Sequence, residues 1–156
     1  MFFETIYRWF EWLFGAKLAD YLAGYDCQSE TFIGSNQFAI IGIIAVAIAI
    51  FFVVLYYYII NHPRFNRLWS WLIMLTIVGL TNLLIGYGIV SSHLSAGDIG
   101  DCLLYGTSRE LPLINQVNCW GFGLANFIVS AMWFIVFSLA FKWWSRNCKY
   151  SPFKYF

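Results

Sequence analysis

Three long stretches of the chain contain no charged side chain. Asp, Glu, Lys and Arg are absent from residues 31–63, 68–97 and 111–141. Each stretch is longer than the roughly 20 apolar residues that an α-helix needs to cross a hydrocarbon core of about 30 Å. The stretches lack the alternating polarity of membrane β-strands, so their backbone must form its hydrogen bonds as helix. The pattern predicts three transmembrane helices with apolar centres at residues 38–60, 68–90 and 122–141.

The composition agrees with that prediction. Of the 156 residues, 61% are hydrophobic and only 11% are charged, whereas soluble domains are about one quarter charged. We therefore exclude a water-soluble globular protein, a disordered chain and a nucleic-acid binder. The expected fold class is all-α, a polytopic transmembrane helical protein with a single membrane domain over residues 1–156.

Residues 1–24 allow two interpretations. Glu4, Arg8 and Glu11 fall on a narrow arc at helical spacing, and most apolar residues lie elsewhere, which is typical of an amphipathic helix in the membrane interface. After Gly15 the polar pattern changes face. The alternative is a fourth span that enters from the cytoplasm and pairs Arg8 with Glu11 at membrane depth, where ionisable groups are costly and usually functional.

Basic residues predict the orientation. The hairpin at residues 61–67 and the tail at residues 142–156 contain Arg or Lys but no acid. Such segments stay on the cytoplasmic side, so we expect both on the cytoplasmic or matrix side of a bacterial or organellar inner membrane. Residues 91–121 then form an outer loop. Contacts with the membrane surface or a partner are expected from Lys142, Trp143, Trp144, Arg146, Lys149 and Lys154.

Three of the four cysteines fall on the predicted outer side, namely Cys27, Cys102 and Cys119. If that side is oxidising, we expect a disulfide between two of them. The spacing leaves all three pairings open. We favour a bond to Cys119, which lies at the mouth of the third span and could anchor the outer loop there. The alternative is three unrelated small hydrophobic thiols.

Small and hydrogen-bonding residues within the spans indicate where helices meet. Membrane helix contacts collect such residues, whereas Leu, Ile and Phe can face lipid. Asn82 and Asn126 are the most informative, because an amide that faces lipid leaves its donors and acceptors unpaired. We expect them to bond across helices, within one subunit or between copies. The residues expected to pack helices or to line a pore are Gly42, Ala45, Ala49, Thr81, Asn82, Gly86, Asn126 and Ser130.

The sequence contains no motif that would identify an enzyme. It has no Gly-rich phosphate loop, no GxSxG elbow and no CxxC pair, and its two histidines lie in separate loops. We therefore expect no catalytic residue, no cofactor and no bound metal. A membrane enzyme would need polar groups clustered at one interface, and only Arg8, Glu11 and Asp20 would merit a test.

Association is the leading functional hypothesis. Three spans bury little against one another, which suggests that other subunits cover part of their surface. We expect a non-enzymatic subunit that oligomerises within a larger membrane complex, with the lipid bilayer, copies of itself or other membrane subunits as its partners. The alternative is a pore-forming or channel-forming effector whose copies surround a pathway lined by Thr81, Asn82, Asn126 and Ser130.

Overall fold

The computed structural model describes residues 2–60, 68–105 and 112–144, apart from the side chain of Trp144. Most of these residues are helical, which confirms the all-α prediction. The first elements are α1 (Phe2–Arg8), α2 (Glu11–Phe14), α3 (Ala16–Leu22), β1 (Tyr25–Asp26) and β2 (Thr31–Phe32). They are followed by α4 (Gln37–Val54), its π-helical continuation (Leu55–Ile60), α5 (Leu68–Ala96), α6 (Asp101–Leu104), α7 (Gln116–Phe141) and a 3₁₀ turn (Lys142–Trp144).

Three of the helices are long and apolar enough to cross a membrane. They cover Gln37–Ile60, Leu68–Ala96 and Gln116–Phe141, with 24, 29 and 26 residues. At a rise of about 1.5 Å per residue, each is roughly 36 Å or longer, which exceeds a hydrocarbon core of about 30 Å. The three predicted apolar centres all lie within these helices. This arrangement fits an integral membrane location.

The N-terminal segment is three short helices, so the prediction of one helix over residues 1–24 is wrong. The helices contain 7, 4 and 7 residues, and the longest rises only about 10 Å, so none of them is long enough by itself to cross a membrane. Gly15 separates α2 from α3 with a φ of +87°, in the left-handed region that favours glycine. Asn118 of α7 stabilises the break, because its Nδ2 donates to the Phe14 carbonyl at 2.8 Å.

A two-stranded hairpin precedes α4 and was not predicted. Its strands are antiparallel, with Tyr25 opposite Phe32 and Asp26 opposite Thr31. In the turn, Oδ2 of Asp26 accepts hydrogen bonds from the backbone N–H of Ser29 at 3.1 Å and from its hydroxyl at 2.8 Å. Side-chain bonds of this kind stabilise turns. Strands of two residues are too short to give a recognisable sequence pattern.

The described residues form two compact units. Of the described residues, the first contains 2–43, 83–105 and 112–126. Its aromatic core joins the N-terminal helices to the beginnings of α4 and α7 through Tyr7, Phe14, Phe38 and Phe122, with ring centroids 5.3–6.3 Å apart. The backbone of Leu13 contacts Gly121 so closely that a Cβ at this glycine would collide with the Leu13 carbonyl.

The second unit contains the described residues 44–60, 68–82 and 127–144. Its buried core consists of Ala49, Val53, Tyr56, Tyr57, Trp71, Met74, Val78 and Phe134. Ser138 links three helices here, because its Oγ accepts a hydrogen bond from Trp71 Nε1 at 2.8 Å and lies 2.6 Å from the hydroxyl oxygen of Tyr57. Buried polar atoms normally require such partners.

The disulfide joins Cys27 to Cys102, with a Cα–Cα distance of 6.0 Å that suits such a bond. Cys119 is free and buried, so our preference for a bond to Cys119 is wrong. The reason is that α6 packs beside α3 and the hairpin, which brings Cys102 close to Cys27. Cys119 instead lies on the inward face of α7.

Candidate functional site

Asn126 has a hydrogen-bond partner within its own chain. The hydroxyl of Tyr7 donates to Asn126 Oδ1 at 2.5 Å, and both side chains are fully buried. Burial raises the pKa of the Tyr7 phenol, which keeps it protonated and able to donate. Gly86 provides the space opposite, since a Cβ there would lie 3.0 Å from Asn126 Nδ2. The expected bond across helices is therefore made inside one subunit, between α7 and the N-terminal helix α1, whose contact with α7 was not predicted.

Three other polar residues of the spans bond to carbonyls of their own helices. Asn82 Nδ2 donates to the Val78 carbonyl at 3.0 Å, and Thr81 Oγ1 donates to that of Ile77 at 2.8 Å. Ser130 Oγ donates to the carbonyl of Phe127 at 2.9 Å. Each of these three side chains therefore has a hydrogen bond within its own helix.

The small residues predicted at contact faces pack inside the chain. Gly42, Ala45, Ala49 and Gly86 are buried, like Asn82, Asn126 and Ser130, whereas Thr81 is partly exposed. The ring of Phe3 fills the space beside Gly42, where a Cβ would collide with it. Contact between helices of one subunit therefore accounts for these residues.

A different row of small residues faces outward on α5. Gly88, Ser92 and Ala96 follow one another at a spacing of four residues, and all three are exposed. A Cβ added at Gly88 would meet no atom within 4 Å, while Leu83 and Tyr87, on another side of the helix, lie against Gly123 of α7. We call Gly88, Ser92 and Ala96 the outer stripe. Its four-residue period was a readable signal, but the sequence could not show which face of α5 was free.

Arg8 lies at the centre of a charged cluster. Its guanidinium is 3.1 Å from Glu4, 3.5 Å from Glu11 and 3.9 Å from Asp20, and Asn36 Nδ2 donates to Glu4 at 3.1 Å. The structure thus brings together the three residues singled out for a catalytic test. Because they come from α1, α2 and α3, their ion pairs link the three short helices. Partly exposed pairs of this kind contribute at most about 1 kcal/mol each.

A second polar group connects α3 to the end of α5. Nδ1 of His93 lies 3.0 Å from the Tyr21 hydroxyl oxygen and 3.0 Å from Asp98 Oδ2. The pKa of Tyr21 is raised, mainly by burial and also by the negative charge of Asp98. The Tyr21 phenol therefore stays protonated at neutral pH. Residues 2–60, 68–105 and 112–144 contain no group of three His, Cys, Asp or Glu that could hold a metal ion.

The basic tail is described only at its beginning. Lys142 is 1% exposed, and its Nζ lies 5.2 Å from the ring centroid of Trp143, a distance that suits a cation–π contact. Trp143 is exposed. The predicted contacts of Arg146, Lys149 and Lys154, and of the Trp144 side chain, lie outside the described residues.

Comparison of the chain with protein-family models, curated proteins and solved structures finds no match. The candidate site therefore rests on packing and chemistry. Of the features above, the outer stripe is the one whose residue types favour close helix contact and whose neighbouring space is open.

Proposed function

We propose that this protein is a non-enzymatic integral membrane subunit that associates with copies of itself through the outer stripe. The single observation that carries the proposal is the open space beside Gly88, followed at helical spacing by exposed Ser92 and Ala96. Rows of small residues let two helix backbones approach closely, which is how many membrane helices associate.

The rest of the helix surface supports this choice of contact face. In the most apolar 18-residue stretches of the three long helices, only 33%, 28% and 33% of the residues are buried within the chain. The exposed remainder of α5 consists mainly of large apolar residues such as Leu72, Ile73, Leu80 and Leu84, which lipid accommodates well. The hydroxyl of Ser92 donates to the Ile89 carbonyl at 2.7 Å, so its donor is already satisfied within the helix. The outer stripe is thus the part of α5 best suited to a partner helix.

The proposed topology follows the distribution of charge and tryptophan. The hairpin at residues 61–67 and the basic tail lie on the cytoplasmic or matrix side, as the positive-inside rule requires. Exposed Trp69 and Trp143 occur at that end of their helices, and exposed Trp120 lies near the beginning of α7. Tryptophan favours the headgroup region. The N-terminal helices, with exposed Trp9 and Trp12, then lie at the outer interface.

Energy transfer between labelled copies in lipid vesicles tests the association. We expect transfer that rises with the protein-to-lipid ratio and that Gly88→Leu weakens by about tenfold in association constant, or roughly 1.4 kcal/mol, because the added side chain separates the backbones. Ala47→Leu, at an exposed position of α4, is the matched control and should leave the transfer unchanged. A monomer at every concentration, or equal effects of the two substitutions, would contradict the proposal.

The pore alternative has weaker support. Three of its four proposed lining residues are buried in a single chain, and all four have hydrogen bonds within it. Any pathway would therefore have to form between copies or after rearrangement of this packing.

A further inference from the structure

A pocket of about 190 Å³ lies just before α4 in the first unit. Since a water molecule occupies about 30 Å³ in the liquid, the space would hold roughly six waters or one small organic molecule. Its side-chain lining consists of two tyrosines, one acid, one hydroxyl and one amide, contributed by Tyr21, Tyr25, Asp26, Ser35 and Gln37.

The walls of the pocket are held by backbone and covalent bonds. Gly34 N donates to the Gly24 carbonyl at 2.9 Å, and Gly24 has a φ of +91°. A Cβ at Gly24 would lie only 2.5 Å from the Gly34 carbonyl oxygen, so this close approach requires glycine. The disulfide between Cys27 and Cys102 fixes the hairpin that supplies Tyr25 and Asp26. A pocket built in this way needs little reorganisation to accept a ligand.

Asp26 gives the pocket a negative charge. Hydrogen bonds from Ser29 lower the pKa of this carboxyl, so it is ionised at neutral pH. Both Ser29 bonds reach Oδ2, and a carboxylate offers about four acceptor positions, which leaves capacity for a ligand. The sequence has no Lys or Arg between Lys17 and Arg64. No basic residue of that segment can therefore neutralise Asp26.

The remaining lining suits a cation as well. Gln37 directs its amide donor to Ser35 Oγ at 2.9 Å, and the hydroxyl of Tyr21 is engaged with His93. The beginning of α4 is capped by Asn36, whose Oδ1 accepts a bond from the Ala39 N–H at 3.2 Å, which reduces its attraction for anions. Carboxylates and the faces of aromatic rings together recognise organic ammonium groups.

We propose that this pocket binds a small organic ammonium ion of the choline or ethanolamine class, either as a free solute or as a lipid headgroup. Asp26 would hold the positive charge, and the rings of Tyr21 and Tyr25 would contact the carbon atoms around the nitrogen. This activity is independent of self-association through the outer stripe.

Binding of choline to the full chain in phospholipid-free detergent tests the proposal by calorimetry or saturation-transfer NMR. We expect saturable binding of choline and none of acetate. Asp26→Asn should weaken choline binding about tenfold or more, because it removes the charge but keeps the shape. Asp101→Asn, which removes an exposed acid outside the pocket lining, should change it less than about twofold. Tyr25→Leu, which removes a ring without altering charge, should weaken it several-fold.

Absence of saturable choline binding, equal binding of acetate, or equal losses in Asp26→Asn and Asp101→Asn would overturn the proposal. Nanodiscs distinguish the two sources of the ammonium group. If phosphatidylcholine discs suppress binding of free choline while phosphatidylglycerol discs do not, the site takes a lipid headgroup. Equal binding in both discs identifies a free solute, and loss of binding in both would contradict the proposal.

Discussion

The hydrogen bond from Tyr7 to Asn126 shows how one residue pair joins distant parts of the chain. The two residues are 119 positions apart, yet both are fully buried and 2.5 Å separates their oxygen atoms. An amide at this depth needs a partner, because an unsatisfied buried polar group costs about 1–3 kcal/mol. Tyr7 therefore helps to hold α1 against α7.

Replacing Tyr7 by Phe should lower the free energy of unfolding by about 1–3 kcal/mol, because the ring still packs but Asn126 Oδ1 loses a donor. Thermal unfolding in detergent measures the effect. Tyr58→Phe is the matched control, since the exposed Tyr58 hydroxyl makes only a 3.5 Å contact with the Phe141 carbonyl. Equal stability of the two variants would contradict the importance of the buried bond.

The sequence predicted that Asn126 needs a hydrogen-bond partner, but it did not identify Tyr7 as that partner. The chemistry of Asn126 alone indicates that it must be hydrogen-bonded, whereas the choice of Tyr7 depends on how the N-terminal helices fold back. Gly86 and Gly88 are likewise indistinguishable in the sequence, since they are the same residue type two positions apart in one helix. Gly86 lies against Asn126 and Gly88 faces open space, and only the position of α7 distinguishes them.

Short elements cover the ends of the long helices in the first unit. The helices α1, α2 and α3 are linked by the ion pairs of Arg8, and α6 is tied to the hairpin through Cys27 and Cys102. Each element contains seven residues or fewer. Helices this short are unstable alone, so they depend on tertiary contacts and on the covalent bond.

Removing the disulfide with Cys27→Ser and Cys102→Ser should destabilise the first unit. The bond closes a loop across 75 residues, for which the chain-entropy relation gives about 4.5 kcal/mol. Thermal unfolding of oxidised and reduced protein measures the loss. Cys119→Ser should leave the pairing intact, as peptide mapping would show. Recovery of a peptide that joins Cys119 to either partner would contradict the structure.

The long helices could be predicted from the sequence, whereas the short helices and strands could not. Uninterrupted apolar runs identify α4, α5 and α7, because little besides membrane helix accommodates them. The ends of these helices were harder to predict than their centres. The apolar run of α5 ends at Val90, but the helix continues through polar residues such as Ser91 and His93 to Ala96. The break between α2 and α3 follows from Gly15 and from the hydrogen bond that Asn118 donates to the Phe14 carbonyl. In the sequence, this break was indicated by the change of the polar face after Gly15.

The amide side chains of the spans, Asn82 and Asn126, are fully buried within one chain, so the protein should not conduct as a monomer. We expect proteoliposomes to retain a small dye and to remain tight with Asn126→Leu, since Asn126 lies in a packed interior rather than beside open space. Vesicles without protein give the baseline, and a known pore-forming peptide gives full release. Dye leakage that Asn126→Leu abolishes would favour the pore instead.

The proposed function depends most on three membrane crossings with both basic segments on one side. Labelling of intact cells with a membrane-impermeant maleimide tests this directly, using native Cys148 in the tail and a Ser29→Cys variant in the exposed hairpin turn. We predict that the Ser29→Cys variant gains a label in intact cells, and that Cys148 is labelled only after permeabilisation. Labelling of Cys148 in intact cells, or a chain that stays soluble without detergent, would contradict this topology.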